Sequence, residues 1–118
     1  KCETLNNLWL EIRQNGAYMA DFTVTWDEPG NSLNAPLVPK KEEGRYSAGN
    51  KMQVNFPGDA TNIRVNLRTM SGVGILDKVL LPANLNTAYQ TGGHAVGPNW
   101  SRECKNQAGL IEWKQSCN

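Results

Sequence analysis

From Tyr18 to Trp26 the chain alternates without interruption. Tyr18, Ala20, Phe22, Val24 and Trp26 fall on one side, and Met19, Asp21, Thr23 and Thr25 on the other. A side-chain period of two, carried by aromatic and β-branched residues, is the signature of a half-buried strand. Asn15-Gly16 directly before it favours a tight turn, because both residues tolerate a positive φ. Leu8 to Arg13 alternates in the same way, so the opening of the chain reads as a hairpin with Gln14 to Tyr18 at its tip.

The pattern returns at Lys51–Phe56, Asn62–Arg68, Leu76–Leu81 and Leu85–Tyr89, with a last strand expected over Leu110–Trp113. Pro57-Gly58-Asp59 and Ser71-Gly72-Val73-Gly74 supply turns between them. Pro36 and Pro39 confine Leu37-Val38 to a short edge strand, and Lys40 to Gly44 reads as a solvated connection. No window sustains a helical period. The prediction is one all-β domain over residues 1–118, an antiparallel β-sandwich of immunoglobulin-like overall shape. Up-and-down connections then collect residues 14–18, 47–50, 69–78 and 91–97 at one end, and 27–34, 57–61 and 82–84 at the other. Sandwiches bind through the loops of one end.

Composition serves mainly to exclude. Twelve lysines and arginines against eleven acids leave no electrostatic footprint for nucleic acid. No run approaches the ~20 apolar residues of a spanning helix. The cysteines, Cys2, Cys104 and Cys117, sit near the chain ends, as for one disulfide and one spare thiol in a secreted protein. All three pairings remain open, as do three reduced thiols in an intracellular protein. With no CxxC and a single histidine, His94, neither a metal nor another cofactor is expected. Asp27 and Glu28 diverge if extended and make a poor acid–base pair. No nucleophile or phosphate-cradling motif appears, so the chain reads as a binding protein and not an enzyme.

The candidate binding residues follow from the loop-bearing end. They are Gln14, Asn15, Ala17 and Tyr18 on the first loop, Ala48 and Asn50 on the second, Ser71, Gly72, Val73, Gly74 and Ile75 on the third, and Gly93, His94 and Trp100 on the fourth. Two adjacent glycines permit close backbone approach to a ligand, and His94 and Trp100 add polar and stacking surface. Against this stand a glycine loop whose Trp100 packs on the core, and Tyr18 as core on the Phe22 face. Trp9, on the polar side of its strand, is a second stacking candidate. Asn99-Trp100-Ser101 fits the N-glycosylation pattern.

Gly16-Ala17-Tyr18, Phe22 and Trp26-Asp27-Glu28 together resemble the start of the C-terminal domain of the cholesterol-dependent (thiol-activated) cytolysins. Ala60-Thr61-Asn62-Ile63-Arg64-Val65 is similar to the stretch leading into that family's tryptophan-rich undecapeptide. The resemblance covers residues 8–97 and leaves 98–118 as a disulfide-tied tail. It implies a β-sandwich that docks on membranes through loops at one tip. The undecapeptide would fall at Thr69–Val79, where only Gly72 is kept and Ser71 replaces threonine. Met70 stands for its cysteine, and Ile75, Asp77 and Lys78 stand for its tryptophans. The family's cholesterol-recognising pair would fall near Gly93 and His94 and is missing. The expectation is therefore a stand-alone, secreted recognition module without pore-forming segments. Its expected partner is a cell-surface glycan or membrane receptor, bound in lectin-like fashion. The alternatives are sterol or lipid binding, with Met70, Val73, Ile75 and Leu76 as an aliphatic wedge, and a defence or structural protein with a protein partner or as a homo-oligomer.

Overall fold

A computed structural model describes residues 8–30, 34–81, 85–115 and 117. The described residues form β1 (Leu8–Gln14), β2 (Ala20–Glu28), β3 (Val38–Tyr46), β4 (Asn50–Phe56), β5 (Thr61–Thr69), β6 (Gly74–Leu80), β7 (Thr87–His94), β8 (Gly97–Lys105) and β9 (Ile111–Lys114). Two sheets face one another, one ordered β4-β1-β7-β8-β9 and the other β3-β2-β5-β6. Every pairing is antiparallel except β1 with β7. The all-β sandwich expected from the period-two pattern is the fold observed.

The inward residues are those that alternation selects. Leu10 and Ile12 of β1 meet Phe22, Val24 and Trp26 of β2, with Met52, Val54 and Phe56 of β4 and Ile63, Val65 and Leu67 of β5 completing the core. Trp26 meets Phe56 edge-on at 4.9 Å, and its Nε1 donates to Glu28 Oε2 at 2.8 Å. Glu28 thus satisfies a buried ring N–H, while Asp27 accepts from Asn62 Nδ2 at 2.8 Å.

Several connections differ from expectation. β1 and β2 are not a hairpin, because they lie in opposite sheets. Each carries one apolar face, and two such faces bury more surface opposed across a sandwich than side by side in one sheet. Asn15-Gly16 is not the tight positive-φ turn expected, since neither residue has a positive φ; the segment bends and carries the chain from layer to layer. Lys40 to Gly44 is not a connection; it lies within β3, a nine-residue edge strand that pairs with β2 from Tyr46 to Val38. Charge along an edge strand blunts its tendency to pair with another chain, and charge alone made this strand read as a linker. The glycine-rich segment after Tyr89 is a hairpin, with β7 and β8 paired up to His94 and Gly97. Residues 98–118 contribute β8 and β9 to the larger sheet, and Cys104 is bonded to Cys117. Cys2 lies outside the described residues.

Candidate functional site

The strand directions put the connections 15–19, 47–49, 70–73 and 95–96 at one end of the sandwich. Backbone hydrogen bonds tie the first of these to β7 and to the third, and the end of β1 to the second. Ala17 N donates to Gly93 O at 3.0 Å, and Asn15 N to Thr91 O at 2.9 Å. Gly49 N donates to Gln14 O at 2.7 Å, and Met70 N to Met19 O at 2.9 Å. The Tyr18 hydroxyl donates to Gly92 O at 2.9 Å. Burial pushes the Tyr18 phenol above its ordinary pKa, with the Thr91 hydroxyl opposing.

Gln14 sets the geometry of this corner. Its Nε2 donates to Tyr18 O at 2.7 Å, and its Oε1 accepts from Gly16 N at 2.8 Å and from Thr91 Oγ1 at 2.7 Å. Gln14 and Thr91 are fully buried. The expectation that Gln14 contacts a ligand is thus corrected: its amide is spent on the loop's own backbone. The glycines are corrected in the same sense. Gly92 and Gly93 admit a close approach, but it is that of the paired strand β8, whose Asn99 Oδ1 a Cβ at Gly92 would meet at 2.8 Å. Gly93 has φ near +80°, and a Cβ there would run into the Gly97 carbonyl oxygen.

The third loop is a tight turn fixed by Thr69. Thr69 N donates to Val73 O at 2.8 Å, Val73 N to Thr69 Oγ1 at 3.0 Å, and Gly72 N to Thr69 O at 2.9 Å. Asn50 Nδ2 braces the second loop from Ser47 Oγ at 2.7 Å. Asn15, Ala17, Ala48, Asn50, Ser71, Gly72, Val73, Gly74 and His94 are exposed, and Tyr18 and Gly93 are half-buried. Ile75 packs against the core instead of joining the rim.

Trp100 does not belong to this end. It pairs with Thr91, three positions below the hairpin end, stacks on Tyr89 at 5.9 Å and lies under Lys78 Nζ at 5.7 Å. It closes the side of the core between β6 and β8. Asn99 is exposed on β8.

Two residues that sequence reasoning passed over are prominent at the tip. Val96 is 96% exposed at the point of the β7–β8 hairpin, and Met19 is 37% exposed beside Met70 at 55% and Val73 at 41%. Met19 sits on the face that alternation marked as outward, which was a usable signal. Val96 had none beyond its place between glycines. Across 15–19, 47–49, 70–73 and 95–96 there is no Asp, Glu, Lys or Arg. Among the described residues no cluster of His, Cys, Asp or Glu could hold a metal ion.

Two packed sheets with uncharged loops gathered at one end define an all-β sandwich domain. The chain belongs to the family of the thiol-activated cytolysin beta sandwich domain, whose model matches residues 9–94. Among solved structures it is similar to the cytotoxin suilysin from Streptococcus suis, with 21% identity and a TM-score of 0.69 over 84% of this chain and 23% of that one. It is similar to the membrane-binding domain of pneumolysin, with 20% identity and a TM-score of 0.66 over 86% of this chain and 100% of that one. It is also similar to listeriolysin O, with 21% identity and a TM-score of 0.66 over 83% of this chain and 22% of that one. The chain therefore spans about a quarter of the length of the whole toxins it matches. No curated protein matches it.

Proposed function

We propose that the protein binds the surface of a membrane through the loops 15–19, 47–49, 70–73 and 95–96. The observation that carries this reading is the uncharged tip with Met19, Met70, Val73 and Val96 exposed. Aliphatic side chains on ordered loops enter the headgroup boundary at little desolvation cost, whereas a charge would be held out. An exposed apolar patch bordered by polar groups marks an interaction surface. The family supports the reading, since one of its solved members is described as the membrane-binding domain of pneumolysin. The role is binding and not catalysis.

The expected lectin-like contact at this tip finds less support. Trp100 lies below the tip, the Tyr18 hydroxyl is bonded inward, and Gln14 is buried. The aliphatic wedge is the better description, with Met19 and Val96 in place of Ile75 and Leu76. An extracellular setting is part of the proposal, supported by the Cys104–Cys117 disulfide.

The test is co-flotation with liposomes of phosphatidylcholine, with and without cholesterol. Val96→Asp and Met70→Asp are each expected to weaken binding about tenfold or more, since each forfeits ~1.5 kcal/mol or more of apolar burial. Binding that survives both substitutions unchanged refutes the tip as the contact. A requirement for cholesterol would mean that sterol recognition persists without the family's motif residues.

A further inference from the structure

The outer face of the β3-β2-β5-β6 sheet carries a concavity of about 680 Å³, on the flank of the molecule and not at its tip. Its floor is built from short polar side chains. Thr23 and Asn66 lie opposite one another across β2 and β5, and Thr25 lies opposite Arg64. All three floor residues are half-buried. Arginines on both flanks rise above this floor because their side chains are several bonds longer.

These arginines are unequal. Arg45 grips Asp21 with Nε and Nη2 at 2.6 and 3.2 Å. Arg64 grips Asp77 in the same two-pronged way at 2.8 and 3.0 Å. Glu43 leans on Lys41 at 3.6 Å. Arg68 stands between the two forks, and its hydrogen bond goes to a neutral partner, Asn66 Oδ1, at 3.1 Å. Its charge reaches both carboxylates, helping to depress Asp21 and Asp77 behind the larger effect of the arginine that grips each one. The forks hold their guanidiniums in place, while Arg68, opposite Asp21 across β2 and β5, makes no such fork among the described residues.

We infer that this concavity is a binding site for an oligosaccharide carrying an acidic sugar, with Arg68 receiving its carboxylate or sulfate and Thr23, Thr25 and Asn66 meeting its hydroxyls. A hydroxyl-rich ligand suits a floor of alternating donors and acceptors, because every polar group it covers can be repaired. A guanidinium with carboxylates near it but none gripping it in a fork, as for Arg68 opposite Asp21, can take a planar acid through charge-assisted hydrogen bonds. The site has no aromatic platform, so recognition rests on hydrogen bonding and charge and falls with salt. The site is independent of the membrane reading, since none of its residues lies on the tip loops.

The test is an amide NMR titration of the whole chain with four probes: a glucuronate-containing tetrasaccharide, a sulfated one, a neutral one of equal length, and inorganic sulfate. One or both acidic sugars are expected to shift amides of residues 21–25, 43–45 and 64–68 while leaving 15–19, 70–73 and 95–96 in place. Arg68→Ala should weaken that binding about tenfold or more, Arg68→Lys should restore part of it, and Thr23→Val should weaken it a few-fold. Each variant is checked for an unchanged fold in the same spectra. Equal shifts by the neutral sugar, or by sulfate alone, would overturn the inference, as would shifts confined to the tip or none at all. Liposomes without sugar test the tip separately, so either reading can fail alone.

Discussion

Gln14 shows how much one polar side chain does at a corner where two sheets exchange a chain. Its amide satisfies the Tyr18 carbonyl in a partly buried bond and, away from water, the Gly16 amide and the Thr91 hydroxyl. Gln14→Leu keeps the volume but strands those groups, so we expect a loss of ~2–4 kcal/mol in urea unfolding. Gln14→Glu should be similarly costly, because a carboxylate cannot donate to Tyr18 O. A second expectation concerns acid. Asp21 is held below the ordinary carboxylate pKa first by its hydrogen bond from Arg45, and Asp77 by that from Arg64. A folded value below the unfolded one gives stability that is present above the unfolded pKa and lost as pH falls through the folded one. Carboxyl-carbon NMR should place both midpoints below ~3.9, and Asp21→Asn should flatten the acid limb of the stability curve. A titration at or above the ordinary value would break this account. At this scale little was legible beforehand. A glutamine beside a turn looks like a surface residue, and only the crossing of layers buries it.

At the scale of elements, alternation served well where strands have one wet face and failed where they have two. β2 and β5 were readable because buried and exposed positions take turns. β3 was not, because its outer edge and much of both faces meet water, so its composition is that of a loop. The start of β7 was readable in Leu85–Tyr89, but its second half and β8 were hidden by Gly92 and Gly93, which occupy strand positions where β8 leaves little room for a Cβ. Pairing across layers was also illegible, since a turn signal says where the chain reverses and not which sheet receives it. The Cys104–Cys117 bond spans 13 residues and fastens the end of the chain, beyond β9, to β8 at the margin of the sheet. Closing a loop of that size stabilises by ~3 kcal/mol in the chain-entropy picture. Reduction, or Cys117→Ser, should lower the urea midpoint accordingly and raise amide exchange in β8 and β9 before the rest of the sheet. Unchanged exchange there would mean that the strands hold without the bond.

At the scale of the whole molecule, turn alternation gathered the described connections near 15–19, 47–49, 70–73 and 95–96 at one end, as the strand directions place them, while Gln14, Ile75 and Trp100 lie inside or below it. The tip was legible because strand direction reverses at each connection, whatever the sheet. Which side chains crown it was not, since that depends on how the loops rest upon one another. Loop 15–19 is bonded to loop 70–73 through Met70 and to β7 through Gly93, and the end of β1 is bonded to loop 47–49 through Gly49. A loop bundle tied in this manner behaves mechanically as a stamp and not as separate fingers. It meets a flat target already in shape, so contact orders little further chain and gives up little entropy. The same stiffness removes the option of reshaping around a curved or recessed target. A molecule with such an end is suited to many brief, similar encounters with a plane, each made and broken as a single event.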